Sequence, residues 1–183
     1  MRRLFDRGAP VPAEAMHRAG LARGEKVLAR ARAEDGAWLL GTRDALVVVP
    51  PGPDDGSRPL RIPWERVETA DWAREDERLR VVEVGAFGRP RPVHSFSVPD
   101  PGTLLPMVRE RVTASVLLQR RVVVTGKKGL RVVARRPPRG RGTTTWAYTF
   151  DPGVNPEDPA VQRAAAEGLR AAQDELGAGD EVP

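Results

Sequence analysis

Few side chains in this sequence have the type and spacing that chemistry needs. The chain has two histidines, His17 and His94, and no cysteine, which excludes disulfides, thiolate nucleophiles and thiolate metal sites. Carboxylates are the only other strong ligands, and the histidines stand at no metal-ligand spacing, so no metal is expected. His94 adjoins Ser95 in a stretch that reads as a strand. Neighbouring strand residues point to opposite faces, so the two cannot work as base and nucleophile. His17 falls in a short predicted helix from Pro12 to Ala19. The acidic groups Asp54-Asp55 and Glu75-Asp76-Glu77 sit in predicted turns, where they are favoured for solvation and local hydrogen bonding. No G-x-S-x-G, H-E-x-x-H or EF-hand pattern occurs. The expectation is a protein with no catalytic residues and no cofactor, and so not an enzyme.

Two stretches bear on phosphate and nucleic acid. Gly126-Lys127-Lys128 has the look of a phosphate loop, but that pattern needs glycine where Arg121 stands and Ser or Thr where Lys128 stands. A tight hairpin turn displaying two lysines is the expectation instead. Gly88-Arg89-Pro90-Arg91-Pro92 resembles the core of a minor-groove hook, in which extended Gly-Arg-Pro places arginine in narrow A/T-rich DNA. Phe87 stands where such a hook carries another arginine. A proline loop between two strands explains the stretch equally well.

Charge is distributed unevenly along the 183 residues. Net charge is +5, and 27 of the 30 basic residues are arginine. Residues 1–108 carry 17 basic and 16 acidic side chains, 109–141 carry 11 and 1, and 142–183 carry 2 and 8. The band begins at Arg109 and Arg111. Its candidate partner-binding or anion-binding members are Arg120, Arg121, Lys127, Lys128, Arg131, Arg135, Arg136, Arg139 and Arg141. Either the acidic C-terminal segment folds back and neutralises the band, or the band meets phosphates without reading sequence.

The elements that must carry these residues follow from periodicity. Leu, Val, Ile and Phe make up 42 of 183 residues, above the roughly 20% at which chains tend to disorder, so a core is expected. Val27, Ala29, Ala31 and Ala33 alternate with Leu28, Arg30 and Arg32, the period of a half-buried strand. Glu34-Asp35-Gly36 is a turn. Ala37–Leu40 and Ala45–Val49, joined through Gly41-Thr42-Arg43-Asp44, fit a hairpin. After the Pro/Gly/Asp loop Pro50–Pro59, strands are predicted over Leu60–Pro63, Val67–Ala73, Leu79–Val84 and Val93–Val98. Leu104, Leu105, Val108, Val112, Ser115 and Val116 then recur at helical spacing, with Thr103 as N-cap and Pro106 in the first turn. Three more strands, Val122–Thr125, Leu130–Ala134 and Thr143–Phe150, precede a helix. Its N-cap is Asp158, Pro159 opens it, its apolar stripe is Val161, Ala165, Leu169, Ala172 and Leu176, and it ends at Gly177. Trp146, Tyr148 and Phe150 share a face.

The fold class expected is α+β, mostly β. A seven-stranded antiparallel barrel or sandwich is capped by a helix and followed by a small three-strand plus helix extension. The divisions are 1–23, an N-terminal segment with a short helix; 24–119, barrel and capping helix; 120–177, a basic extension; and 178–183, a disordered tail.

Gly24-Glu25-Lys26-Val27-Leu28, Trp38-Leu39-Leu40-Gly41-Thr42-Arg43-Asp44-Ala45-Leu46-Val47 and Ile62-Pro63-Trp64-Glu65-Arg66-Val67 resemble, in that order, motifs of the bacterial pleckstrin-homology-like domains. The resemblance covers about residues 24–119, and the whole chain is similar to a group of actinobacterial proteins. It implies the fold above and little chemistry. Where such domains bind inositol phosphates, basic residues flank the first hairpin loop; here that loop is Glu34-Asp35-Gly36, preceded only by Arg30 and Arg32.

No apolar run approaches the roughly 20 residues needed to cross a bilayer, and the first residues lack a secretory apolar run, so a cytoplasmic location is expected. The function expected is a non-catalytic interaction or scaffolding module binding a protein partner. Trp64, Trp72, Trp146 and Tyr148 are candidate interface aromatics. The alternative is non-specific nucleic-acid or anionic-surface binding through the band at 109–141.

Overall fold

A computed structural model describes residues 10–52, 57–138 and 143–179. Helix α1 spans Ala13–Arg18, followed by strands β1 (Val27–Arg32), β2 (Trp38–Thr42), β3 (Ala45–Val49) and β4 (Leu60–Pro63). These pair in sequence order as one antiparallel sheet. After one 3-10 turn at Trp64–Arg66, β5 (Val67–Ala73), β6 (Arg78–Glu83) and β7 (Val93–Ser97) form a second sheet in the order β5-β6-β7. Helix α2 (Leu104–Ser115) runs directly into β8 (Val116–Thr125). β9 (Lys128–Arg135) and β10 (Thr145–Phe150) complete a third sheet in the order β10-β9-β8, and α3 (Pro159–Gly179) closes the chain.

Strand periodicity located these elements to within a residue or two, except at β8. That strand starts six residues before the expected Val122, because Val116 reads as the end of the helical stripe yet pairs with Arg135 of β9, with Leu118 pairing next after a register shift. The expected border between residues 119 and 120 therefore lies inside a strand. Thr103 occupies the N-cap position of α2 but makes no side-chain cap bond. Asp158 does cap α3, accepting from the Ala160 N–H at 2.7 Å. Residues 177–179 continue α3 past its expected end at Gly177, so residues 178 and 179 are helical rather than tail. The rest of the expected tail lies outside the described residues.

The seven strands before α2 do not close into a barrel. They divide four and three between two sheets, and the main core lies between them. Leu39, Leu46 and Ile62 of the first sheet meet Leu79 and Val81 of the second, with Leu104, Met107 and Val108 of α2 filling the end. α2 reaches β2 because Gly41 has no side chain: a Cβ there would lie 2.8 Å from Met107 Sδ.

β2 and β3 are buried at every residue, which fits their continuous apolar runs, since a sheet covered on both faces loses the alternating pattern. Trp38, Leu40, Val47 and Val49 face outward from the main core and are covered by Ala15, Ala19, Val11 and Leu21. Segment 10–23 is thus a lid on the first sheet, held by Arg18, which donates to the carbonyls of Pro50 and Gly52.

The three motifs quoted above meet in space. The Glu25 carboxylate lies 2.6 Å from the Thr42 hydroxyl and accepts from the Ala22 N–H and from both terminal nitrogens of Arg61. Trp64 Nε1 donates to the Thr42 carbonyl at 3.0 Å. Burial pushes the Glu25 carboxyl up, but Arg61, Thr42 and the Ala22 N–H together outweigh it and hold its pKa at about 2.

Candidate functional site

The members of the basic band divide in the structure between exposed, ion-paired and buried. Arg120 of β8 pairs with Glu175 of α3 at 3.0 Å. Arg121 clasps Asp151 with both terminal nitrogens, and Asp151 also accepts from the Gly129 N–H. Arg121 and the Gly129 N–H hold the Asp151 carboxyl at about 2. Lys127 lies in the two-residue turn between β8 and β9 and Lys128 at its edge, as the hairpin reading expected. Both are exposed, as are Arg131 and Arg136. Arg139 and Arg141 lie outside the described residues.

Arg135 is the member furthest from the surface role expected of it, at 5% exposed. It is the last residue of β9, and its guanidinium donates to Val112 O and Ser115 Oγ at the end of α2 and to Glu68 O on β5. It therefore joins the third sheet to α2 and the second sheet rather than presenting charge. Burial lowers its pKa and the Glu68 carboxylate works against that. The Glu68 side chain, in turn, takes a hydrogen bond from Thr149 of β10 and an ion pair from Arg91 at 2.9 Å.

The candidate aromatics separate in the same way. Trp64 is fully buried in the main core, and Trp146 and Tyr148 pack with Leu130, Val132 and Val161 beneath α3. Trp72 borders an open cleft beside α2. Because β5 is an edge strand and α2 crosses its end of the sandwich without covering it fully, a groove of about 830 Å³ remains, walled by Trp72, Leu79, Leu105, Pro106 and Val108. Arg109 and Glu110 form its polar rim.

A second cleft, of about 510 Å³, lies at the junction of the second and third sheets. Loop 85–92 lines it with Phe87, Arg89 and Arg91, β6 contributes Arg80, and β10 contributes Tyr148 and Phe150. The Phe87 ring stands edge-on to Tyr148 at 5.0 Å and to Phe150 at 5.3 Å. The hook-like stretch is thus folded over a cleft with Arg91 engaged by Glu68, and does not project as a free arm.

His94 Nε2 lies 2.7 Å from Glu83 Oε1, and its ring stacks on Phe96 at 6.5 Å. Neither member of that pair lines either cleft. Among the described residues no group of three or more His, Asp or Glu is placed to hold a metal, and no helix is long and apolar enough to cross a membrane.

Sequence reasoning missed both clefts. Trp72 and Leu105 were read in separate elements, and only their meeting across the β5 edge makes a groove. The nearest hint was Phe87 beside Arg89 and Arg91, an aromatic among cations in a glycine-proline loop. No protein-family model, curated protein or solved structure matches this chain.

Proposed function

We propose that this protein is a non-catalytic interaction module that binds a protein partner by taking an extended apolar segment into the groove between α2 and β5. The observation that carries the reading is the groove itself: Trp72, Leu79, Leu105 and Val108 stand beside the edge of β5 that no strand pairs with among the described residues. An unpaired strand edge offers main-chain hydrogen bonds to an incoming strand, and pockets beside it select alternate side chains. Trp72 is the anchor, since a partly exposed tryptophan in an apolar cleft supplies large contact area at little entropic cost.

The motif order, with seven strands in two sheets followed by α2, supports a pleckstrin-homology-like reading of residues 24–119. A chain without cysteine suits a reducing compartment, and the proposal places it in the cytoplasm. Binding of nucleic acid through the 109–141 band is the weaker reading, because Arg120 and Arg121 are paired with carboxylates and Arg135 is buried.

Selection of a displayed random-peptide library against the full chain tests the proposal. Enriched peptides are expected to carry apolar residues at alternate positions and to shift the backbone amide resonances of Val67–Ala73. Trp72→Lys and Leu105→Lys are each expected to weaken them about 30-fold or more, while Lys127→Gln leaves them unchanged. Enriched peptides that bind both groove variants as well as the parent would refute it.

A further inference from the structure

The junction cleft has a charge and a wall that the groove reading does not use. Three arginines reach it from two elements, Arg80 from β6 and Arg89 and Arg91 from loop 85–92, against one carboxylate, Glu68 of β5. Arg91 is committed to Glu68 through Nε. The side chains of Arg80 and Arg89 have no ion-pair or hydrogen-bond partner among the described residues. Asp71 is the cross-strand neighbour of Arg80 but does not line the cleft. The lining therefore carries a net charge of about +2, the complement of a phosphate monoester dianion rather than of a carboxylate. Arginine's planar fork suits the oxygens of such a group.

Beside the cations stand the rings of Phe87, Tyr148 and Phe150. Phe87 is 37% exposed although it touches two other rings. The loop is built to hold it there. Gly88 takes φ 68°, a conformation that favours glycine, and Gly85 stands where a Cβ would press on Arg91 Cγ at 3.1 Å. A volume of about 510 Å³ lies within the usual range for small-ligand sites.

We infer that this cleft binds the nucleoside-monophosphate class of ligand: a phosphate monoester held by Arg80 and Arg89, joined to a planar ring that packs on Phe87. A free nucleotide and one nucleotide of a single strand share this chemistry.

Calorimetric titration of the full chain with adenosine monophosphate is expected to show saturable one-to-one binding. Arg80→Gln and Arg89→Gln should each weaken it about 10- to 100-fold; neither side chain has a partner to lose, so both variants should keep the parent's circular dichroism. Phe87→Leu should weaken adenosine monophosphate while leaving inorganic phosphate unchanged, and adenosine alone should bind at least about 10-fold more weakly than the monophosphate. Absence of saturable binding in the millimolar range overturns the proposal. So does inorganic phosphate binding as tightly as the monophosphate, or Lys127→Gln losing as much as Arg89→Gln. Oligoadenylate is the second arm. Tighter binding than the monophosphate, again sensitive to Arg89→Gln, identifies a strand as the source; weaker binding identifies a free nucleotide; either supports the cleft.

Discussion

The chain builds the same thing twice, strands followed by a closing helix, and the two copies differ in what each helix rests on. α2 seats on β2 at Gly41, where the nearest atoms to an added Cβ are Met107 Sδ at 2.8 Å and Leu104 Cδ1 at 3.2 Å. α3 seats on β8 through its own Gly168, where a Cβ would meet Val122 Cγ2 at 2.5 Å and Val132 Cγ2 at 3.4 Å. In the first case the glycine lies in the strand and the helix supplies a flexible thioether; in the second it lies in the helix and the strand supplies stiff β-branched side chains. α2 also leaves the groove beside Trp72 uncovered, while α3 packs on β8 and β9 with Val161, Ala165 and Ala172 buried. The helix with the softer seat is the one beside the proposed binding groove.

The largest expected effect comes from cutting the link between the two units. Arg135→Met removes three hydrogen bonds and leaves Glu68 O without its donor in a partly buried joint, while Val112 O keeps the Ser115 hydroxyl. An unsatisfied buried acceptor costs about 1–3 kcal/mol, so a loss of about 3 kcal/mol is expected in urea unfolding. If Arg135 makes the two units one cooperative body, tryptophan fluorescence, dominated by the first unit, and helical dichroism should unfold together in the parent and separately in the variant. Coincident transitions and a loss under about 1 kcal/mol would show that the units are joined elsewhere.

Next come the two seats. Gly168→Ala is expected to destabilise by about 2 kcal/mol, the overpacking against Val122 exceeding the roughly 1 kcal/mol of helix propensity gained. Gly41→Ala is expected to cost under about 1 kcal/mol, because methionine changes rotamer readily where valine does not. Equal losses in thermal unfolding would erase the distinction between a soft and a stiff seat.

How far the sequence showed all this depends on whether the decisive contact is local. The period-two pattern of Val27–Arg32 and the Asp158-Pro159 start of α3 are written within a few residues, and both elements appear as read. β8 was misplaced at its start because Val116 continues the apolar helical spacing, and only pairing with Arg135 of β9 makes it strand. How the basic band is divided was hidden for a related reason. Eleven cations in a row of 33 residues look like a surface, but strand alternation sends Arg120 toward α3 and Arg121 toward Asp151, and the strand's end buries Arg135. Trp64 and Trp72, eight positions apart, are alike in sequence; a hydrogen bond to Thr42 O fixes one in the core, while the other borders the groove.

The smallest expected effects separate the units by acid. Each has a carboxylate gripped by both terminal nitrogens of an arginine, Glu25 by Arg61 and Asp151 by Arg121. Both pKa values are held at about 2, below ordinary values of 4.5 and 3.8. A carboxyl depressed in the folded state favours folding once the unfolded chain has ionised. That contribution is present above the ordinary pKa and is lost as pH falls toward 2. Thermal midpoints measured from about pH 6 down to about pH 2.5 should therefore fall in the parent. Glu25→Gln should flatten that fall, starting from a lower midpoint at neutral pH. Asp151→Asn should flatten it less, because its carboxylate is 20% exposed where that of Glu25 is 1% exposed, and water screens what it gains. If Asp151→Asn flattens the curve more, the second unit rather than the first limits stability in acid, and the ranking of the two clasps by burial is wrong.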